Sequence, residues 1–283
     1  MGKKIQRQGK CIFCGGKGLT KQHVLPDWLR EYFPRTANDT KTQNLMYFKR
    51  NENSMLTTPN IQKTQGHLGN VRIRNVCEKC NSGWISGIKN ATKPIVEELL
   101  QGHIVKIDKE MQHLLSQWLM VVNIMIEYTD SKTITITEGD RKMVMNGIIP
   151  DGWKIWIGYC ENKNWEFRYR HNAVAVMKKS DYQRGCDVPE KCNIQYTTVG
   201  IGRLYIHMTK NYSECIIPTI RDYESLGLIQ ICPFTKEIPV TIVPKYINNM
   251  DAEIIPDLIY NEIVRSGGRD IDTVFVNTSN LLK

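Results

Sequence analysis

The sequence predicts an α+β fold, in which a cysteine-containing N-terminal module precedes helices and a mainly antiparallel β domain. Two Cys-x-x-Cys motifs, called knuckles below, span Cys11–Cys14 and Cys77–Cys80. A run with helical periodicity covers about residues 109–128. After Ile134, short alternating or β-branched runs are separated by Gly, Asn and Pro, which is typical of antiparallel strands.

Length and composition predict a soluble protein with a real core. The 283 residues, 41% of them apolar, suffice for one large domain or two ordinary ones. We predict a module at 1–101, with a long polar insertion at about 34–66, and a second domain at 102–283. No run approaches the roughly 20 apolar residues that span a bilayer, and no apolar secretory segment follows the N-terminus. The expected compartment is the cytoplasm.

The cysteines predict a structural zinc site. There are nine, an odd number, and in a reducing compartment this favours metal binding plus free thiols over a disulfide framework. Cys11, Cys14, Cys77 and Cys80 supply the four thiolates of a closed tetrahedral site, so this ion has no open position for catalysis. Because 62 residues separate Cys14 from Cys77, zinc would close a long loop and contribute folding free energy.

Positive charge is concentrated around the knuckles. Residues 1–90 hold 16 Lys and Arg against 5 Asp and Glu, a net charge of +11, whereas the rest of the chain has a net charge of −2. Such clustering favours a polyanionic partner, nucleic acid first, because backbone phosphates attract cations whatever the base sequence. A solvated basic surface explains the charge equally well, and both interpretations stay open.

In the first module, we predict a short strand ending at Leu25 and a helix beginning at Pro26. The polar segment 34–65 is either a functional connection or an unstructured excursion. Val71–Val76 alternates apolar and basic residues, which predicts a half-buried strand that leads into the second knuckle.

Helices are expected after the second knuckle. One begins after Asn81 and breaks near Ala91, and a second begins at Thr92, with Pro94 in its first turn, and ends at Gly102. The longer helix at 109–128 has a broad apolar face that includes Trp118. The predicted strands beyond Ile134 are Trp153–Tyr159, Trp165–Tyr169, Ala173–Met177, Gln195–His207, Leu228–Ile231 and Val240–Val243, and a closing helix is predicted at Asp251–Val264.

Two residues beyond the knuckles have side chains suited to catalysis. His23 is a candidate general base, because imidazole titrates near neutral pH. Asn81 follows Cys80 and is a candidate ligand for a second, divalent ion, a candidate N-cap of the following helix, or both.

These residues resemble a known pattern. The order Cys-x-x-Cys, then His at a strand end, then Cys-x-x-Cys-Asn opening a helix is similar to the zinc-containing HNH (ββα-metal, His-Me finger) endonucleases, especially the endonuclease VII type of phage. The resemblance covers about residues 8–90. A group of bacterial HNH-containing proteins also resembles the chain in its Cys-Asn-x-Gly-Trp helix start, its Trp156-Ile157-Gly158 strand and its Gly202-Arg203-Leu204 strand.

The resemblance implies roles for named residues. Cys11, Cys14, Cys77 and Cys80 would bind structural zinc, and His23 would be the general base. Asn81 and the residue before the histidine, Gln22, would hold a catalytic Mg²⁺ or Mn²⁺. Gln22 departs from the pattern, since the family usually has Asp, Glu or His there. The central Asn of the motif matches Asn75 or Asn70.

Two hypotheses follow. The first is a metal-dependent endonuclease that hydrolyses DNA phosphodiester bonds, in phage defence or a mobile element, with residues 102–283 recognising substrate, a protein partner or a second copy. The second is a zinc-stabilised nucleic-acid-binding or adaptor protein whose nuclease site has been weakened by Gln22.

Overall fold

The computed structural model describes residues 9–33, 40–51, 54–65, 68–103, 105–161, 168–215, 223–234, 236–238, 245–259 and 272–276, with 40–51, 54–65 and 68 described by their backbone. Among these residues, none of the helices combines the length and the apolar character that crossing a bilayer requires. The chain forms two compact units, one of residues 1–22 and 73–283 and the other of residues 23–72.

Strands and helices are mixed along the chain. The strands are β1 (Leu19–His23), β2 (Thr40–Asn51), β3 (Ser54–Gln65), β4 (Arg72–Cys77), β5 (Trp153–Cys160), β6 (Arg168–Val174), β7 (Val176–Met177), β8 (Ile194–Ile201), β9 (Leu204–Asn211), β10 (Ile229–Cys232), β11 (Tyr246–Ile247) and β12 (Val274–Phe275). The α-helices are α1 (Glu78–Cys80), α2 (Ser86–Gln101), α3 (Lys109–Glu127), α4 (Glu138–Met145), α5 (Lys179–Gln183) and α6 (Asn249–Ile254). A π-helical segment, Asn81–Ile85, joins α1 to α2, and 3-10 turns occur at Asp27–Glu31, Leu68–Asn70, Ser131–Thr133, Glu224–Leu226 and Ile255–Asp257. The predicted α+β class is confirmed.

A mainly antiparallel sheet forms the centre of the first unit. Its strand order is β10-β5-β9-β8-β6, and β11 pairs in parallel with β5. Strands β8 and β9 form a hairpin whose turn contains Gly202, where a φ of 59° favours glycine. All eight residues of β8 are buried, so both faces of the sheet are covered there.

The two faces of the sheet are covered by different helices. On one face, Thr197 of β8 donates a hydrogen bond to Asn123 of α3 over 2.6 Å. On the other, Tyr205 of β9 donates to the Ala252 carbonyl of α6 over 2.7 Å. Helix α3 is buried on all sides from Leu115 onwards. This differs from the prediction, which gave the helix one broad apolar face.

Several predicted strands are confirmed. Those near Trp153–Tyr159, Gln195–His207 and Leu228–Ile231 correspond to β5, to β8 with β9, and to β10. The predicted strand Val240–Val243 lies outside the described residues, as do residues 165–167 of the predicted strand Trp165–Tyr169 and residues 260–264 of the closing helix. The rest of that helix begins as α6 and continues into the Ile255–Asp257 turn.

The helix that follows the second knuckle differs from its prediction. It begins at Glu78 with Cys77 as its N-cap, four residues earlier than expected, so the prediction that Asn81 is the N-cap is wrong. The predicted break near Ala91 is also wrong, because α2 runs through Pro94 and ends, as predicted, at a left-handed Gly102. The irregularity lies instead at Gly83, whose φ of −88° and ψ of −114° are non-helical.

The second unit contains a two-stranded β-ribbon. The sequence alone did not decide whether this segment is a functional connection or an unstructured excursion. Strands β2 and β3 pair antiparallel along their whole length, from Thr40 opposite Gln65 to Asn51 opposite Ser54. Pro59 lies within β3, which a two-stranded ribbon tolerates because each strand is also an edge. The 3-10 turn at Asp27–Glu31 replaces the predicted α-helix beginning at Pro26.

Glu127 is a buried carboxyl group at the end of α3, with no exposed surface. Its Oε2 accepts hydrogen bonds from the backbone amides of Thr135, over 3.1 Å, and Ile136, over 3.2 Å. Burial nevertheless raises the pKa of Glu127 from 4.5 to about 7, because desolvation outweighs the stabilisation that these amides give the carboxylate.

Glu127→Gln should therefore change how stability depends on pH. Between the unfolded pKa near 4.5 and the folded pKa of about 7, the folded protein holds a proton that the unfolded chain has lost, so wild-type stability falls as pH rises through this window. Glutamine keeps an acceptor and does not titrate. We expect the free energy of unfolding of the variant, minus that of wild type, to increase by about 3 kcal/mol as the pH rises from about 4 to about 8. Urea denaturation of both proteins at a series of pH values measures this difference. Glu110→Gln, at an exposed position of the same helix, is the control, and equal pH profiles for wild type and Glu127→Gln would contradict the account.

Candidate metal centre and surrounding residues

The four predicted zinc ligands lie together in the first unit. The Sγ atoms of Cys11, Cys14, Cys77 and Cys80 are all within 4.8 Å of one another, and those of Cys14 and Cys77 are 3.5 Å apart. Zinc–sulfur bonds of about 2.3 Å in a tetrahedron place sulfurs about 3.8 Å apart, so the cluster has the dimensions of a four-thiolate site. Among the described residues, this is the one group of His, Cys, Asp and Glu that can hold a metal ion.

Glycines shape the first knuckle. Gly15 has a φ of 71°, in the left-handed region, and its amide donates to the Cys11 carbonyl over 2.9 Å. The next amide, of Gly16, points at sulfur and donates to Cys14 Sγ over 3.4 Å. A Cβ atom at Gly16 would lie 3.2 Å from the same sulfur, so a side chain there would crowd the cluster.

The thiols have unequal acidities when no ion is considered. The hydrogen bond from the Gly16 amide lowers the pKa of Cys14 to about 7, whereas burial raises the pKa of Cys77 and that of Cys80 above 9.0. Buried thiols that resist ionisation become ligands only when a cation stabilises their thiolates, and metal binding then releases protons. The soft donor set and its tetrahedral dimensions fit Zn²⁺.

The first knuckle is fixed to the rest of its unit by backbone, aromatic and guanidinium contacts. Its Ile12 amide donates to the Asn75 carbonyl of β4 over 2.9 Å, and the Phe13 ring meets Trp84 edge-on, with centroids 4.9 Å apart. Arg141 of α4 donates from Nε to the Ile12 carbonyl over 2.8 Å and from Nη1 to the Ile136 carbonyl. The metal cluster is therefore continuous with the packing of α3 and α4.

Asn81 is half-buried at the start of the π-helical segment, directly after Cys80 of the second knuckle. Its Nδ2 donates to the Thr20 hydroxyl of β1 over 3.1 Å, and that hydroxyl donates to the Val76 carbonyl of β4 over 3.3 Å. The nitrogen end of the Asn81 amide is thus held against β1 by Thr20.

Gln22 belongs to the same unit, in β1, and only 2% of its surface is exposed. An amide oxygen is a neutral ligand for Mg²⁺ or Mn²⁺ and a weaker one than a carboxylate. Asn81 is a neutral amide as well, so it is burial that makes Gln22 the poorer of the two predicted ligands for a catalytic ion.

His23 belongs to the second unit and is half-buried. Its Nδ1 lies 3.0 Å from the Gly69 carbonyl, which accepts a hydrogen bond and so assigns the ring proton to Nδ1. Its Nε2 accepts from Arg72 Nε over 2.8 Å. Burial, more than the neighbouring guanidinium charges, lowers the pKa of His23 below 6.5, so the imidazole is neutral at pH 7.

The structure thus brings the four cysteines together and holds Asn81 against β1, whereas His23 has its partners within the second unit. The sequence analysis assigned no role to Arg30, Arg72 or Thr20. Arg72 lies in the alternating run before the second knuckle, so its position at the start of a strand could have been predicted from the sequence. Arg30 and Thr20 carried no such signal, because their contacts depend on the fold.

Metal content tests the cluster directly. Cys80→Ser replaces a buried thiolate ligand with a hydroxyl that binds zinc poorly, so we expect the purified variant to lose the one zinc ion per chain and to melt at a lower temperature. Elemental analysis and thermal unfolding provide the two readouts. Cys186→Ser, at an exposed cysteine outside the cluster, should retain both wild-type values. Equal zinc content in the two variants would be incompatible with this centre.

Comparison with known proteins adds no assignment. The chain matches no protein-family model, no curated protein and no solved structure.

Proposed function

We propose that the protein is a zinc-stabilised, metal-dependent endonuclease of the HNH type that hydrolyses DNA phosphodiester bonds. The observation that carries the proposal is the state of His23, a neutral imidazole whose tautomer is set by a backbone carbonyl. In a base oriented in this way, Nε2 is the nitrogen that can take a proton, once the hydrogen bond that it accepts from Arg72 is released. The four-cysteine cluster and the concentration of positive charge in residues 1–90 support the same proposal.

In this mechanism, each side chain has one task. His23 accepts a proton from water through Nε2, while its Nδ1 keeps its own proton and donates it in a hydrogen bond to the Gly69 carbonyl. Asn81 would hold a divalent ion through Oδ1, and Gln22 through Oε1. A bound Mg²⁺ or Mn²⁺ would supply positive charge to stabilise the departing 3′ oxygen. The cysteine cluster fixes the second knuckle and the helix start that contains Asn81.

His23→Ala tests the base. We expect wild-type protein to nick or linearise supercoiled plasmid with Mg²⁺ or Mn²⁺. The variant should cleave at least about 100-fold more slowly, since general-base catalysis contributes at least that factor. The measurement is the rate of loss of supercoiled DNA at equal protein and metal concentrations. His103→Ala, which removes an exposed histidine near the end of α2, should cleave at the wild-type rate. Equal rates for His23→Ala and wild type would refute the mechanism.

Gln22 favours a second candidate, a nucleic-acid-binding or adaptor protein without cleavage. A buried neutral amide stands where the resembling family usually has an acidic residue or a histidine, and this weakens any catalytic metal site. The zinc cluster and the basic charge serve binding equally well.

Gln22→Glu separates the two candidates. A buried carboxylate is costly unless a cation pairs with it, so a metal site at this position predicts that Mn²⁺ raises the melting temperature of the variant and increases plasmid cleavage. The measurements are thermal unfolding and cleavage over a Mn²⁺ titration, with Gln112→Glu, which buries a carboxylate elsewhere in the same unit, as the control. Destabilisation of Gln22→Glu that Mn²⁺ does not relieve would argue against a catalytic ion at residue 22.

A further inference from the structure

Two arginines of the second unit contact the His23 ring. Arg72, at the start of β4, places Nε 2.8 Å from His23 Nε2. Arg30, in the Asp27–Glu31 turn, places Nη2 3.1 Å from Nε2 and 3.3 Å from Nδ1. Two guanidinium groups therefore surround one neutral imidazole.

The imidazole has too few acceptor sites for both arginines. Its Nδ1 proton is donated to the Gly69 carbonyl, and the single lone pair of Nε2 is taken by Arg72, which has the shorter contact. The nearly equal distances from Arg30 Nη2 to the two ring nitrogens place this atom against the ring and not in line with a lone pair. Arg30 thus has more donors than the ring can accept, and among the described residues its Nε is buried without a hydrogen-bond partner.

In the part of the chain that the structure describes, no ion pair balances the positive charge around His23. Within the residues that the structure describes, neither Arg30 nor Arg72 forms a salt bridge with a carboxylate. Asp27 is the acidic group whose charge acts on His23, against the charges of both arginines. A half-buried place with surplus donors and surplus positive charge is suited to an anion.

We infer that Arg30 and Arg72 form a phosphate-binding subsite around His23. The planar guanidinium matches phosphate oxygens in pairs, and charge-assisted hydrogen bonds of this kind are stronger than one to a neutral imidazole. A phosphate oxygen would therefore draw Arg72 away from His23. The ligand class is a phosphate group, either of a nucleic-acid backbone or free in solution.

The subsite gives the histidine a substrate-dependent state. Without an anion, Arg72 occupies the lone pair that a general base must use. With a phosphate bound, Arg72 contacts the phosphate and His23 Nε2 becomes free to accept a proton. This consequence for cleavage rests on the proposed nuclease function, whereas phosphate binding does not.

Arginine side-chain NMR of the zinc-loaded full chain tests the subsite. The Nε–H signals of Arg30 and Arg72 are followed without Mg²⁺ or Mn²⁺, so that binding is measured apart from cleavage. Inorganic phosphate is added in one arm and a short DNA duplex in the other.

We expect both signals to shift saturably in at least one arm. Saturation by DNA at the lower concentration identifies the backbone as the source of the phosphate, and a response to inorganic phosphate alone identifies free phosphate. Unmoved Arg30 and Arg72 signals in both arms would overturn the subsite.

A matched pair of variants separates the subsite from general charge. Arg72→Gln should raise the dissociation constant for the responding ligand by about tenfold, the loss expected for one charge-assisted hydrogen bond. Arg74→Gln removes the same charge from another exposed position of β4 and should have an effect of about threefold or less. Equal losses in the two variants would show non-specific attraction and would overturn the assignment. A cleavage failure with intact phosphate binding would count against the nuclease mechanism alone.

Discussion

The four-cysteine cluster is the interaction on which the first unit of this structure depends. It connects two knuckles whose central cysteines, Cys14 and Cys77, are 63 positions apart in the chain. Cross-linking a loop of that length removes about 4 kcal/mol of unfolded-state conformational entropy, by the chain-entropy relation for a covalent link. That is a large share of the stability of an ordinary domain. The intervening residues 23–72 form a separate compact unit, and the cluster closes this excursion together with the pairing of β1 with β4.

The cluster also connects the knuckles to the larger body of the unit. Arg141 donates to Ile12 within the first knuckle and to Ile136 beside the buried Glu127, which lies at the end of α3. Disruption of the cysteine cluster would therefore loosen a contact that reaches the main helical layer. The four-cysteine cluster and the α+β core are parts of one packed structure.

The sequence predicted those parts of the fold that follow from local pattern. Alternation predicted β4, β5 and the β8–β9 pair, and Gly102 correctly ended α2 because a left-handed residue suits a helix end. It misplaced the helix break, since Pro94 is accommodated within α2 whereas Gly83 adopts the irregular backbone. It also left the β2–β3 ribbon undecided, because polar, threonine-rich strands lack the apolar alternation that marks a half-buried strand.

The candidate site was predictable only where ligand spacing is a sequence property. The Cys-x-x-Cys motifs indicated the cluster without the fold, and its geometry agrees with that prediction. The partners of His23, namely Gly69, Arg30 and Arg72, come from three separate segments and could not be derived from spacing. The bond between Asn81 and Thr20 likewise depends on how the helix start meets β1.

The most direct test of the central claim is the coordination of the metal in the purified protein. X-ray absorption at the zinc edge should show a first shell of four sulfur atoms at about 2.3 Å. A shell containing nitrogen or oxygen ligands, or protein that binds no zinc under reducing conditions, would contradict the four-thiolate centre.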